Sequence, residues 1–124
     1  MTRPPLLRVV LSIAVVAGAP GLAQAQDATA GKAVFGQCAA CHSVDGKNGV
    51  GPSLQGIVGR TAGTAPGFHY SHAMAKVGKP WDAASLTTFI ESPQKAVPGN
   101  VMPFSGLPDA KQRADLLAYL QTLK

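Results

Sequence analysis

Two thiols and an imidazole stand together at Cys38-Ala39-Ala40-Cys41-His42. On a helical or near-helical segment, thiols at this spacing can add across the two vinyl groups along one porphyrin edge. An imidazole directly after the second thiol is then carried beneath the ring, where it can bind iron. The run reads as a site of c-type haem attachment. Three other chemistries use some of the same residues. A thioredoxin-like redox pair needs a βαβ setting, and no such pattern surrounds the motif. A zinc site could draw on Cys38, Cys41, His69 and His72, but His69-x-x-His72 is tighter than the usual His spacing. A disulfide between Cys38 and Cys41 would close so short a loop that it would do little for the fold. None of the three explains why His42 directly follows Cys41.

An iron held by one His has a second axial position to fill. Met74, Met102, His69 and His72 are the candidates. Met102 lies in Pro98-Gly99-Asn100-Val101-Met102-Pro103-Phe104, where prolines on both sides stiffen the loop and restrict helix formation. A stiff loop holds a weak thioether ligand with little loss of entropy. Met74 has no such bracing and reads as core filling. His69 and His72 read as surface residues or as neighbours of the haem propionates.

The elements that must position these groups are helical. Residues 28–40 form a predicted first helix, with Ala30, Val34 and Cys38 on one face, Phe35 beside them and Gly31 on the same side. A glycine there costs about 1 kcal/mol against alanine, which fits either a close helix crossing or a solvent-exposed position without a role. Residues 43–65 are rich in turn residues, and 65–70 continue irregularly. A loop this long inside a compact domain is expected to wrap something. Residues 82–91 form a second predicted helix, with Asp82 as N-cap and Leu86, Phe89 and Ile90 inward. The last runs from about Asp109 to Leu123, where Asp109 and Gln112 resemble a capping box and Leu116, Leu117, Leu120 and Leu123 make the buried stripe. No strand alternation and no internal repeat is visible. The expected class is all-α with long loops.

The 124 residues allow one domain. Arg3 and Arg8, the apolar run 9–19 and Ala23-Gln24-Ala25 read as a secretory signal peptide over 1–25, cut after Ala25. The apolar run is too short to span a bilayer comfortably, an uncut membrane anchor is the alternative that Pro4 and Pro5 leave open, and Pro20 and Gly21 would break a core helix. The folded domain is then 26–124, and the formal charge of +5 falls by two with Arg3 and Arg8. The remaining lysines are scattered, which argues against nucleic acid. So small a core, rich in Gly and Pro, benefits from a staple, and a buried haem would be one. Bacteria attach such haem outside the cytoplasm, so motif and leader agree on a periplasmic location, with no membrane span once the leader is cut.

An ordered set of motifs carries a wider resemblance. Besides Cys38 to His42, it includes Gly51-Pro52-Ser53-Leu54, Gly56-Ile57-Val58-Gly59-Arg60, Ala65-Pro66-Gly67-Phe68-His69-Tyr70-Ser71, Trp81, Phe89-Ile90-Glu91-Ser92-Pro93 and Pro98-Gly99-Asn100-Val101-Met102. Over nearly all of 26–124 the chain resembles the class I c-type cytochromes, the mitochondrial protein and its small bacterial relatives. The resemblance implies the small cytochrome c fold, about three to four helices and long loops around one haem. It implies haem c bound through two thioethers to Cys38 and Cys41, and His42 and Met102 on iron. It implies that the Pro52 carbonyl accepts a hydrogen bond from His42, and that Arg60, Tyr70 and Trp81 serve the propionates. Gly31, Phe35, Leu116 and Tyr119 match the family's contact between first and last helices.

The departures carry expectations too. Phe89 stands where a Tyr usually reaches the Met sulfur, and Met74 where an Asn is common. Asn100 replaces a usual Thr near a propionate, where its amide could still donate. Gln37, Gln94 and Val101 replace docking lysines, so the partner should not be the same strongly acidic surface. The implied function is electron transfer, not catalysis: a monomer that docks briefly with redox protein donors and acceptors, its sixth iron position filled by protein.

Overall fold

The computed structural model describes residues 25–124, with Met1. Residues 2–24 of the predicted leader, 1–25, lie outside the described residues. Among the described residues five helices follow in order: α1 (Ala28–Phe35), α2 (His72–Ala75), α3 (Ala83–Glu91), α4 (Pro93–Ala96) and α5 (Ala110–Leu120). Among the described residues there is no strand, only an isolated bridge between Thr61 and Pro80. The all-α expectation holds, with two one-turn helices added to the three that were foreseen.

Three helices begin at an aspartate. Asp27 accepts from the amides of Thr29 and Ala30. Asp82 accepts from the Ser85 amide while its own amide donates to Ser85 Oγ, a complete capping box. Asp109 accepts from the Gln112 amide. Each cap satisfies amides that the first helical turn leaves without partners.

α1 stops at Phe35 and does not reach Ala40. Beyond it, the amides of Gly36, Gln37, Cys38 and Cys41 bond to carbonyls three residues back. This tighter winding begins at Gly36, a poor helix former, and carries Cys38 and Cys41 on near-helical turns. The two short helices were missed because four residues span barely one helical turn and show no apolar periodicity. Their only local signals are Ser71, whose Oγ accepts from the Met74 amide, and Pro93 in the first turn of α4.

The core is built where α1 crosses α5. Phe35, Leu116, Leu117 and Leu120 are buried there, and the Phe35 and Tyr119 rings stand 5.3 Å apart, tilted by 55°. Gly31 lies so close to α5 that a β-carbon on it would overlap the Asp115 carbonyl and crowd Tyr119 Cβ. The close-crossing reading of Gly31 is thereby confirmed. Asp115, only 5% exposed, ties the crossing together: its Oδ1 accepts from the Asp27 amide at 2.9 Å and from Lys111 Nζ at 2.5 Å. The Lys111 hydrogen bond, and then that of the Asp27 amide, hold its carboxyl below the ordinary carboxylate range against the opposing pull of burial.

The long loops are tied by backbone and amide bonds. Asn48 Nδ2 donates to the Pro66 carbonyl and its Oδ1 accepts from the Ser53 amide. Gly59 donates to the Trp81 carbonyl, Trp81 to that of Arg60 and Ala62 to that of Lys79. These rungs fix Arg60 beside Trp81. Trp81 in turn packs on Phe89 of α3, ring centres 5.1 Å apart.

Candidate functional site

A cavity of about 490 Å³ lies among the turns that follow α1, the helices α2, α3 and α5, and the loops. This is the size of a site for a small molecule or cofactor, roughly 300–1,000 Å³. Cys38, Cys41, His42, Pro52, Arg60, Tyr70, Trp81, Asn100 and Met102 all line it. Residues more than sixty positions apart in the chain therefore meet on one surface. The rest of the lining is mostly apolar: Leu54, Ile57, Leu86, Phe89, Ile90, Phe104, Leu116 and Leu120 among others.

His42 is held from two directions. Its Nδ1 lies 2.7 Å from the Pro52 carbonyl. A carbonyl only accepts, so Nδ1 carries the proton and Nε2 keeps its lone pair for a metal. Gly51 closes on the ring, and a β-carbon there would stand 2.5 Å from His42 Cε1. Sequence reasoning assigned Gly51 no role of its own. Its position immediately before Pro52 was the available signal.

The rival chemistries of the motif do not survive the geometry. Cys38 and Cys41 are not bridged. Burial raises the Cys38 thiol above its ordinary value, whereas a redox-active pair needs an accessible thiolate. His69 and His72 are exposed and do not line the cavity. Among the described residues no three His, Cys, Asp or Glu side chains gather where they could share a metal ion.

The donors at the cavity suit a haem. Arg60 gives Nη1 to the Gln55 carbonyl and Nη2 to that of Ser53. Its Nε–H is buried without a partner among the described residues. A buried, cationic donor of this kind calls for an anionic acceptor, and a propionate is one. The Tyr70 hydroxyl oxygen accepts from the Ala65 amide, which leaves its proton free to donate. Trp81 adds a buried apolar wall.

Asn100 lines the cavity differently from expectation. Its amide hydrogens go to the carbonyls of Pro93 and Val97, each at 2.9 Å. No hydrogen is left for a propionate. Its Oδ1 accepts from the Met102 amide at 3.0 Å, and Gln94 Nε2 donates to the Asn100 carbonyl. The side chain is a clip that fixes the loop carrying Met102 to α4. This role was invisible in sequence because the acceptors are backbone carbonyls.

A sequence model of the family described as cytochrome c matches residues 28–124. A cytochrome c2 iso-2 of Magnetospirillum fulvum is 51% identical over 90 residues, covering 72% of this chain and 94% of the relative. A cytochrome c2 of Rhodopila globiformis is 48% identical over 106 residues, covering 84% of this chain and all of the relative. Among solved structures, cytochrome cH from Methylobacterium extorquens superimposes with a TM-score of 0.75 at 47% identity, covering 77% of this chain and 98% of that one.

Proposed function

The chain belongs to the class I c-type cytochromes, and on that premise we propose that it is a periplasmic electron carrier whose iron is held by His42 and Met102. Haem c is bound in this family through the two cysteines of the motif, here Cys38 and Cys41, and the related cytochromes c2 are electron carriers, not enzymes. The bound haem supplies a one-electron couple, and everything else is the work of the chain.

The observation that carries the His42 assignment is the 2.7 Å contact of its Nδ1 with the Pro52 carbonyl; Met74 and Met102 both line the cavity, and the loop held by the Asn100 clip favours Met102. The hydrogen bond orients the imidazole and makes Nε2 a stronger donor to iron. Asn100 and the two prolines hold Met102 in place. His/Met ligation raises the reduction potential, as does the apolar lining, because it disfavours the more highly charged oxidised state. Arg60 Nε–H and the Tyr70 hydroxyl receive the propionates, with Trp81 beside them. With both His42 and Met102 bound to it, the iron would offer no open position to a substrate, and electrons would cross at the cavity mouth during short-lived docking.

Residues 1–25 act as the export signal in this reading, and the mature monomer is 26–124. No helix among the described residues is long and apolar enough to cross a membrane. Protein matured with its haem attachment machinery should have the mass of 26–124 plus one haem that survives acid–organic extraction. The oxidised form should show the near-infrared sulfur-to-iron band, absent in Met102→Ala. A variant with unchanged spectrum and potential would refute Met102 as ligand.

A further inference from the structure

The cavity opens between segments that carry no formal charge. Residues 33–44, 48–59 and 96–108 contain no Asp, Glu, Lys or Arg. All the exposed side chains of the lining come from these segments: Gln37, Val50, Val101 and Pro103. Val50 is 74% exposed and Val101 76%, the most exposed large apolar side chains of the described residues after Met1. Among the described residues Arg60 is the lining's only permanently charged one. It is half-buried, with two of its nitrogens already bonded to carbonyls. None of the lysines lines the cavity.

We propose that Gln37, Val50, Val101 and Pro103 form the docking face for the redox partner, and that this partner is a protein with an uncharged, apolar surface around its own cofactor edge. The inference rests on the reading of the chain as a carrier that exchanges electrons at the cavity mouth. Charge complementarity decides the partner's chemistry. A charged patch pressed on this rim would lose its water and meet no counter-charge. Lysines outside the lining act on such a patch through solvent, and beyond about 10 Å they are screened at 0.1 M salt. Two exposed valines beside the opening instead lose apolar area to a matching surface, which suits a small and brief contact.

A second copy of the holoprotein presents this same neutral rim and serves as the probe. Electron self-exchange between ferrous and ferric protein, read from NMR line shapes, should vary by no more than about twofold from low to high ionic strength. V50K/V101K should slow it by about tenfold or more at low salt, and salt should restore it. V44K/V58K adds the same charge at exposed valines outside the lining and should leave the rate within about twofold of the parent. V50S/V101S should slow exchange at every salt concentration. Labelled ferrous protein mixed with excess unlabelled ferrous protein should show amide shifts at Gln37, Val50 and Val101, a readout free of electron transfer. Equal effects of the two lysine pairs would mean that net charge governs, and would overturn the docking face. Indifference to all rim substitutions would overturn it too. A parent that shows no self-exchange, although small reductants cycle its iron, would instead refute the carrier reading and the docking face with it.

Discussion

Replacing Asn100 by alanine tests whether the loop that carries Met102 is held by one buried amide. The residue is 6% exposed, and its side chain makes three hydrogen bonds, to the Pro93 and Val97 carbonyls and from the Met102 amide. A net hydrogen bond contributes about 0.5–1.5 kcal/mol, and a buried group left without a partner costs more. Three bonds together hold the loop by roughly 2–4 kcal/mol. The Val97 carbonyl keeps the Asn100 amide as a partner, which places the loss at the lower part of that range. Release of Met102 from oxidised iron, followed as loss of the near-infrared band on alkalinisation, should become easier by most of this amount. If release is coupled to loss of one proton, each 1.36 kcal/mol moves the midpoint by one pH unit, so it should fall by about one to two units. Asn100→Asp keeps an acceptor for the Met102 amide but turns both donors into acceptors that face carbonyls, so it should do at least as much harm. An Asn100→Ala protein that unfolds earlier but releases Met102 at the parent's pH would refute the reasoning, because the amide would then brace the fold and not the ligand.

Two further substitutions probe the helix crossing that frames the site. Gly31→Ala should destabilise the protein by about 1–3 kcal/mol in denaturant unfolding, since the overlap with the Asp115 carbonyl outweighs the better helix propensity of alanine; a more stable variant would mean that the helices separate freely. Asp115 has a folded pKa below its unfolded value, so the stability it contributes is complete above the unfolded value and lost as pH falls through the folded one. Asp115→Asn should be less stable at neutral pH and should show a flatter fall of stability in acid, whereas an unchanged acid profile would assign the acid sensitivity to other carboxylates.

The chemistry of the site was legible because its central unit is local. Cys38, Cys41 and His42 are fixed to one another by covalent spacing, whatever surrounds them. The caps at Asp82 and Asp109 were legible for the same reason: each bonds an amide three residues ahead. The leucine stripe of α5 followed from helical period alone. Gly31 was half-legible. Its cost in a helix was readable, but the reason for accepting that cost, the Asp115 carbonyl, lies on another helix.

What tertiary structure decided is where the hydrogen bonds of polar side chains end. Asp115 sits on what a helical projection could make an exposed face, yet it is buried because it takes the amide of Asp27, 88 residues away. Asn100 looked like a donor to a propionate, and its hydrogens go to the carbonyls of Pro93 and Val97 instead. α1 stops at Phe35, where tighter winding from Gly36 onward carries both thiols to the cavity lining. Residue types and their spacing determine which groups are available and which local bonds they can make. Which acceptor each buried donor meets depends on the partners that packing brings within about 3 Å, where a hydrogen bond can form, and this chain reaches those partners only once the loops have closed around the cavity.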